Sequence, residues 1–328
     1  MSGTKLVMGA SGFLGSHVTR KLVERGDQVR VWIRESSSTV GFDDLDVERH
    51  YGDLEDDAAM RTAMKDVDTV FYCIVDARAW LRDPSPLYVT NVEALRRVLD
   101  AAVEVGVPKF VFCSSVVTIA VDQTGPADET MAHNWRHLGG AYIDSRIQAE
   151  ELVLGYHRDK GLAAVVLNVG TTYGPRDHGP TPHGKLLRAA ARGRVPAYAK
   201  GASMEVVGIE DAARAFLLAE EHGRPGERYI ISEGYLPIKD LFDIAADEAG
   251  VTPPRFGIPL PMMRVLGVVG GTVSRLMRKD TVVTSTSVRL MHVQTPLDHG
   301  KASRELGWEP TPTEDSIRAG VRWFLGER

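Results

Sequence analysis

The chain has 328 residues, 43% of them hydrophobic and 25% charged, with a formal net charge of −5. That length can bury a large core, as one α/β unit or as a dinucleotide domain with a smaller partner, and the negative balance gives no electrostatic case for binding nucleic acid or an anionic membrane. The two cysteines, Cys73 and Cys113, fall in predicted core strands, so buried free thiols are expected rather than a disulfide framework, as suits a cytoplasmic protein.

A first strand is predicted at Lys5–Met8, with a Gly-rich turn directly after it, which leaves no room for a secretory signal. Further strands follow at Gln28–Ile33, Val47–His50, Thr69–Ile74, Lys109–Cys113 and Ala164–Asn168. Helical periodicity fills the intervals Phe13–Arg25, Asp57–Met64, Leu87–Val105 and Ala141–Arg158. Gly26, Gly106 and Gly161 end three of these helices, where a left-handed cap suits glycine. Such alternation predicts an α/β fold, a doubly wound (Rossmann) parallel sheet over residues 1–170.

After Gly170 the pattern breaks. Thr171–Gly184 reads as an irregular loop, followed by a helix at Lys185–Arg192, a strand at Met204–Val207, a helix at Glu210–Glu221 and a strand at Arg228–Ile231. Residues 171–328 are therefore expected to form mainly a smaller, mostly helical substrate-binding region, with a return to the sheet near 204–232. No apolar run reaches the roughly 20 residues of a membrane span. The nearest, Met262–Met277, is interrupted by Arg264, Arg275 and three glycines. It reads as a helix lining a pocket or resting on the core, with membrane-surface contact the lesser alternative.

The chemistry starts in the first turn, Gly9-Ala10-Ser11-Gly12-Phe13-Leu14-Gly15. Gly9 lets the chain leave the strand sharply, Gly12 keeps side chains off a pyrophosphate, and Gly15 permits close helix–strand packing. The helix start adds free N–H groups and partial positive charge. Gly9, Ser11, Gly12, Phe13, Leu14 and Gly15 are accordingly the candidate phosphate cradle; the bland alternative is a plain tight turn. At the end of the second strand a carboxylate would select the 2′-hydroxyl of NAD and an arginine the 2′-phosphate of NADP. Arg34 holds that position, followed by Glu35, so NADP(H) is favoured over NAD(H).

Further landmarks are Tyr51-Gly52-Asp53-Leu54, Tyr88-Val89-Thr90-Asn91-Val92-Glu93, Phe112-Cys113-Ser114-Ser115, Tyr173-Gly174-Pro175-Arg176, and Leu297-Asp298-His299-Gly300-Lys301 with Arg304-Glu305-Leu306-Gly307-Trp308. With the glycine turn they make the whole chain resemble the extended short-chain dehydrogenase/reductase superfamily, also called the NAD-dependent epimerase/dehydratase superfamily. The nearest likeness is to its dihydroflavonol reductase-like and 3β-hydroxysteroid dehydrogenase-like branches.

That resemblance implies a catalytic group of Ser115, Tyr142 and position 146, and cofactor contacts from Asp53, Leu54, Ile74, Val75, Tyr142, position 146 and Val169. In such a group the tyrosine exchanges a proton with the substrate oxygen, the serine orients that oxygen, and a cation lowers the tyrosine pKa. Position 146 is Arg rather than the usual Lys. Arg146 keeps a positive charge and can bond a ribose diol, but it cannot release a proton. Ile74 and Val75 stand where small residues are usual. The resemblance also implies a homodimer joined through the Leu87–Val105 and Ala141–Arg158 helices.

Three functions fit. The first is an NADP(H)-dependent oxidoreductase acting on the ketone or secondary alcohol of a fairly apolar small molecule, with Trp80, Leu81, Tyr173, Met262, Met263 and Leu266 as its wall or simply as core. The second is a nucleotide-sugar epimerase or dehydratase, with Arg188, Arg192 and Arg194 either toward a diphosphate or simply a solvated helix face. The third, suggested by Arg146, Ile74 and Val75, is a catalytically silent NADP(H) sensor. His133 with His137, and His178 with His183, lack a completing ligand set and are read as solvated loop histidines, so no metal is expected.

Overall fold

The computed structural model describes residues 3–277, 280–281 and 284–326. In chain order the first half runs β1 (Thr4–Met8), α1 (Phe13–Arg25), β2 (Gln28–Ile33), β3 (Glu48–Tyr51), α2 (Asp57–Met64), β4 (Val67–Tyr72), α3 (Ser85–Tyr88), a π-type turn (Val89–Glu93), α4 (Ala94–Val105), β5 (Lys109–Ser115), α5 (Arg136–Lys160) and β6 (Ala164–Val169). Local chemistry sets these bounds. The Asp56 side chain accepts from Ala59 N at 2.9 Å to start α2, and Gly26, Gly106 and Gly161 close α1, α4 and α5 in the left-handed region.

The second half comprises β7 (Thr171–Tyr173), α6 (Pro182–Ala191), β8 (Ala197–Ala199), β9 (Ser203–Gly208), α7 (Ile209–His222), β10 (Arg228–Ile231), β11 (Gly234–Pro237), α8 (Ile238–Ala249), β12 (Phe256–Ile258), α9 (Leu260–Met277), α10 (Ser285–Val293), α11 (Gly300–Leu306) and α12 (Thr313–Leu325).

Seven parallel strands form the main sheet in the order β10-β6-β5-β4-β1-β2-β3. Its central strands are buried on both faces, as parallel strands between helices must be, and every residue of β6 is buried. On one face α1, α7 and α11 cover Val7, Val111, Leu167 and Trp308; on the other α2, α4 and α5 cover Leu6, Leu95, Phe110 and Phe112. A further core of Leu187, Leu241, Phe242, Ile317 and Val321 unites α6, α8 and α12.

Four features depart from the sequence-based expectation. Strand β4 ends at Tyr72, so Cys73 and Ile74 lie beyond it. The supposed irregular loop after Gly170 contains β7, whose Thr-Thr-Tyr run pairs with Val206–Gly208. The expected strand near Met204 is the middle of a separate sheet, β11-β9-β7, and it is β10 that joins the main sheet beside β6. Finally, α5 starts at Arg136 and continues past a non-helical Gly140 (φ 67°, ψ −169°). Both cysteines are free and half-buried.

Candidate active site

The strand order reverses between β1 and β4, the crevice where doubly wound sheets bind ligands. Gly9 leaves β1 there with φ +93°, and a Cβ on it would sit 2.9 Å from the Cys73 carbonyl carbon and 3.1 Å from the Ile74 side chain. A Cβ on Gly15 would lie 2.2 Å from the Gly9 carbonyl oxygen, so α1 reaches this turn only with hydrogen at both positions. Gly12 N donates to Gly9 O at 3.0 Å and closes the turn. Helix α1 begins without a side-chain cap and without an acid in its first turn, leaving its leading N–H groups to an anion.

Ser11 and Gly12 are exposed, and Phe13 and Leu14 are half-buried. This bare, donor-rich concavity fits a dinucleotide pyrophosphate. Arg34 and Glu35 stand exposed just past β2, and neither side chain pairs with another described residue. Asp53 is exposed beyond β3, Leu54 and Ile74 pack against the α2–α4 core, Val75 is exposed, and Val169 ends β6 in a buried position.

Ser115 ends β5, and Tyr142 and Arg146 stand one turn apart on α5. Burial pushes the Tyr142 pKa up, while the Arg146 guanidinium and the Ser115 hydroxyl beside it pull it down; burial outweighs them. Arg146 is 1% exposed. Its Nη2 donates to the Cys113 carbonyl at 2.6 Å, and its Cζ lies 5.5 Å from the Phe112 ring centroid. Its Nε is buried without a partner, a donor still available to a bound group. Burial also raises both thiols, Cys113 to about 11, so they stay protonated.

The surroundings of Tyr142 are apolar: Val117, Val121, Leu138, Leu290 and Val293 pack with it around Trp135, Ile143 and Ile147. Trp80 and Leu81 are half-buried; Tyr173 and Met263 are buried in the α6–α8–α12 core, and Met262 and Leu266 are exposed on α9. His133 stacks on Trp135 with centroids 5.2 Å apart instead of standing free in solvent. Among the described residues no three His, Cys, Asp or Glu side chains form a metal-sized cluster.

Two supporting residues were given no role by the sequence reading. Asn91 accepts from Asp76 N at 2.8 Å and donates to Asp76 O at 3.0 Å and to Ser145 Oγ at 3.1 Å, pinning the segment after β4 to α5. Glu150 accepts from Ser114 Oγ (2.5 Å), Thr118 Oγ1 (2.8 Å), Asn168 Nδ2 (2.7 Å) and Arg228 Nη1 (3.0 Å), joining α5 to β5, β6 and β10. An amide or carboxylate on the inward side of an apolar helix was the available signal, because a buried polar group demands partners.

A doubly wound sheet whose first turn is opened by glycine at positions 9, 12 and 15 is the architecture of a dinucleotide-binding α/β enzyme. The chain belongs to the NAD dependent epimerase/dehydratase family, whose model matches residues 5–232. It is 29% identical to sterol demethylase protein B of Methylococcus capsulatus over 98% of both chains. It is 25% identical to a 3-beta-hydroxysteroid dehydrogenase of Mycolicibacterium neoaurum, over 97% of this chain and 90% of that one. The crystal structure of gox2253 superposes with a TM-score of 0.88 at 34% identity, covering 98% of each chain. The fold and the branch expected from the sequence are met, and the protein is an enzyme of oxidoreductase type. No helix among the described residues is long and apolar enough to cross a membrane.

Proposed function

We propose that the protein reduces the ketone of an apolar small molecule to a secondary alcohol, with NADP(H) as its dinucleotide. The observation that carries this reading is the setting of Tyr142: its phenol lies beside the Ser115 hydroxyl and the Arg146 cation inside an apolar wall, and burial pushes its pKa above the ordinary value.

A neutral phenol is a proton donor, and a carbonyl that accepts hydride needs a proton on its oxygen. A nicotinamide dinucleotide, when bound, would supply the hydride. Ser115 orients the carbonyl by donating from its hydroxyl; Tyr142 gives up its proton to the same oxygen and recovers one from solvent. Arg146 stabilises the phenolate formed in between and offers its unpartnered Nε toward a ribose hydroxyl. The glycine turn from Gly9 to Gly15 holds the pyrophosphate, and Arg34 supports the choice of the 2′-phosphate.

The deciding experiment is NADPH consumption by purified protein with a panel of steroid and aryl ketones. Consumption that requires an apolar ketone is expected. The reading fails if no ketone consumes NADPH and Arg146→Lys creates no activity, or if the protein copurifies with NAD and is thermally stabilised by a UDP- or dTDP-sugar instead.

A further inference from the structure

Helix α9 is packed inside out. The face it turns to the protein carries Met263, Gly267 and Ser274, all buried, and a Cβ on Gly267 would lie 3.1 Å from the Ser285 backbone. The face it turns to solvent carries the large apolar side chains. Met262, Val265, Leu266, Val269, Val273 and Leu276 are all exposed, Leu276 by 79%. At 100° per residue these six fall within an arc of about 100°, a continuous stripe and not scattered surface leucines and valines. Phe256, 76% exposed, lies just ahead of the helix on β12.

Charge is distributed just as unevenly. The whole chain is acidic, yet between Ala249 and Leu297 the sequence holds Arg255, Arg264, Arg275, Arg278, Lys279 and Arg289 against a single carboxylate, Asp280. Arg255, Arg264 and Arg289 are exposed, and none is ion-paired with a described carboxylate. Several surface arginines elsewhere are paired, Arg25 with Glu221, Arg158 with Asp159 and Arg318 with Glu314, although among the described residues exposed Arg34, Arg192, Arg194 and Arg304 are not.

We infer that the outer face of α9 docks on an anionic phospholipid surface. An apolar stripe of this width, in a segment with an excess of unpaired guanidiniums, matches the boundary between acyl chains and acidic headgroups. A second copy of the chain fits less well, because a two-fold contact through α9 would set this basic segment against itself. Just past the C-terminus of α9, Asp280 Oδ1 accepts from Arg82 N at 3.0 Å, next to Trp80 and Leu81. The docking itself rests on α9 alone and does not depend on the proposed reaction.

Flotation of the full chain with phosphatidylcholine vesicles, with and without phosphatidylglycerol, tests this. Binding is expected only to the phosphatidylglycerol vesicles. Arg255→Glu with Arg264→Glu should weaken it by roughly tenfold or more, and Val269→Glu with Val273→Glu should abolish it. Both variants should keep the wild-type melting temperature and NADPH titration, since the altered positions face solvent. The inference is overturned by no binding to either vesicle, by equal binding to both, or by variants that bind like wild type. It is equally overturned if α9 proves to be a protein contact, with light scattering showing a dimer that the Val269→Glu, Val273→Glu variant dissociates while vesicles stay unbound.

Discussion

Arg146 donates from Nη2 to the carbonyl oxygen of Cys113 at 2.6 Å, fastening the middle of α5 to the end of β5. Ser115 lies two residues beyond that carbonyl and Tyr142 one helical turn before the arginine, so this single bond sets the two hydroxyls against each other. Arg146→Met leaves the Cys113 carbonyl buried and unpaired, at a cost of about 1–3 kcal/mol. Arg146→Lys keeps the charge and should lose less. Thermal unfolding should therefore rank wild type above Lys and Lys above Met, with NADPH affinity in the same order; equal losses for Lys and Met would show that charge plays no part.

Removing the Tyr142 hydroxyl should separate chemistry from binding. Tyr142→Phe is expected to reduce the rate of ketone reduction by about 10²–10⁴-fold while changing NADPH affinity far less, by the loss of one cofactor contact. Because burial outweighs Arg146 and Ser115 in setting this phenol's pKa, above its ordinary value, the wild-type rate should stay flat through neutral pH and fall only in the alkaline range. A rate that instead drops between mildly acidic and neutral pH would assign the proton to another group.

Arg34 offers an exposed guanidinium at the end of β2 with no described carboxylate to neutralise it. A hydrogen bond to a charged group contributes about 1.5–3 kcal/mol. Arg34→Ala should thus weaken NADPH by roughly 10–100-fold and leave NADH unchanged. Calorimetry showing the same loss for both dinucleotides would remove Arg34 from cofactor selection.

Glu205 on β9 links the second region to the C-terminal segment. It is 2% exposed, accepts from Leu297 N at 2.9 Å and from the Ser232 hydroxyl, and burial pushes its pKa up to about 7. A carboxyl with a higher pKa folded than unfolded binds more protons in the native state. Its contribution to stability is full at acid pH and is lost as pH rises from the ordinary carboxylate range through about 7. The melting temperature should decline by a few degrees across that interval, and Glu205→Gln should flatten the decline. A slope that survives in the variant would place the titrating group elsewhere.

Much of the sheet was legible in the sequence, for local reasons. Phe13–Arg25, Gln28–Ile33, Asp57–Met64 and Arg228–Ile231 have the bounds read from periodicity and caps, because glycine and aspartate at their ends act within one turn. The three-residue β7 was missed because its partner β9 is some thirty residues away, and such pairing leaves no local pattern. The start of α5 was misplaced because the helix resumes across Gly140, where glycine normally signals a stop. The placement of Ser115 at a strand end, and of Tyr142 and Arg146 one turn apart on a helix, was legible from spacing and resemblance, while their roles belong to the proposal above. The bond from Arg146 to Cys113 was not, since it depends on how α5 lies across β5. The sequence also identified α9 as an apolar helix, but only packing could reveal that its small residues face inward.

The four hydrogen bonds gathered by Glu150 have an evolutionary consequence. They act as a peg holding α5 at one rotation and one height over the sheet, two turns from Tyr142. A carboxylate so committed cannot drift without tilting the helix that carries Tyr142, the proposed proton donor. On the proposed reading, new substrate preferences would arise from segments such as those after β4 and around α10, where a side chain can change without turning the helix that bears Tyr142.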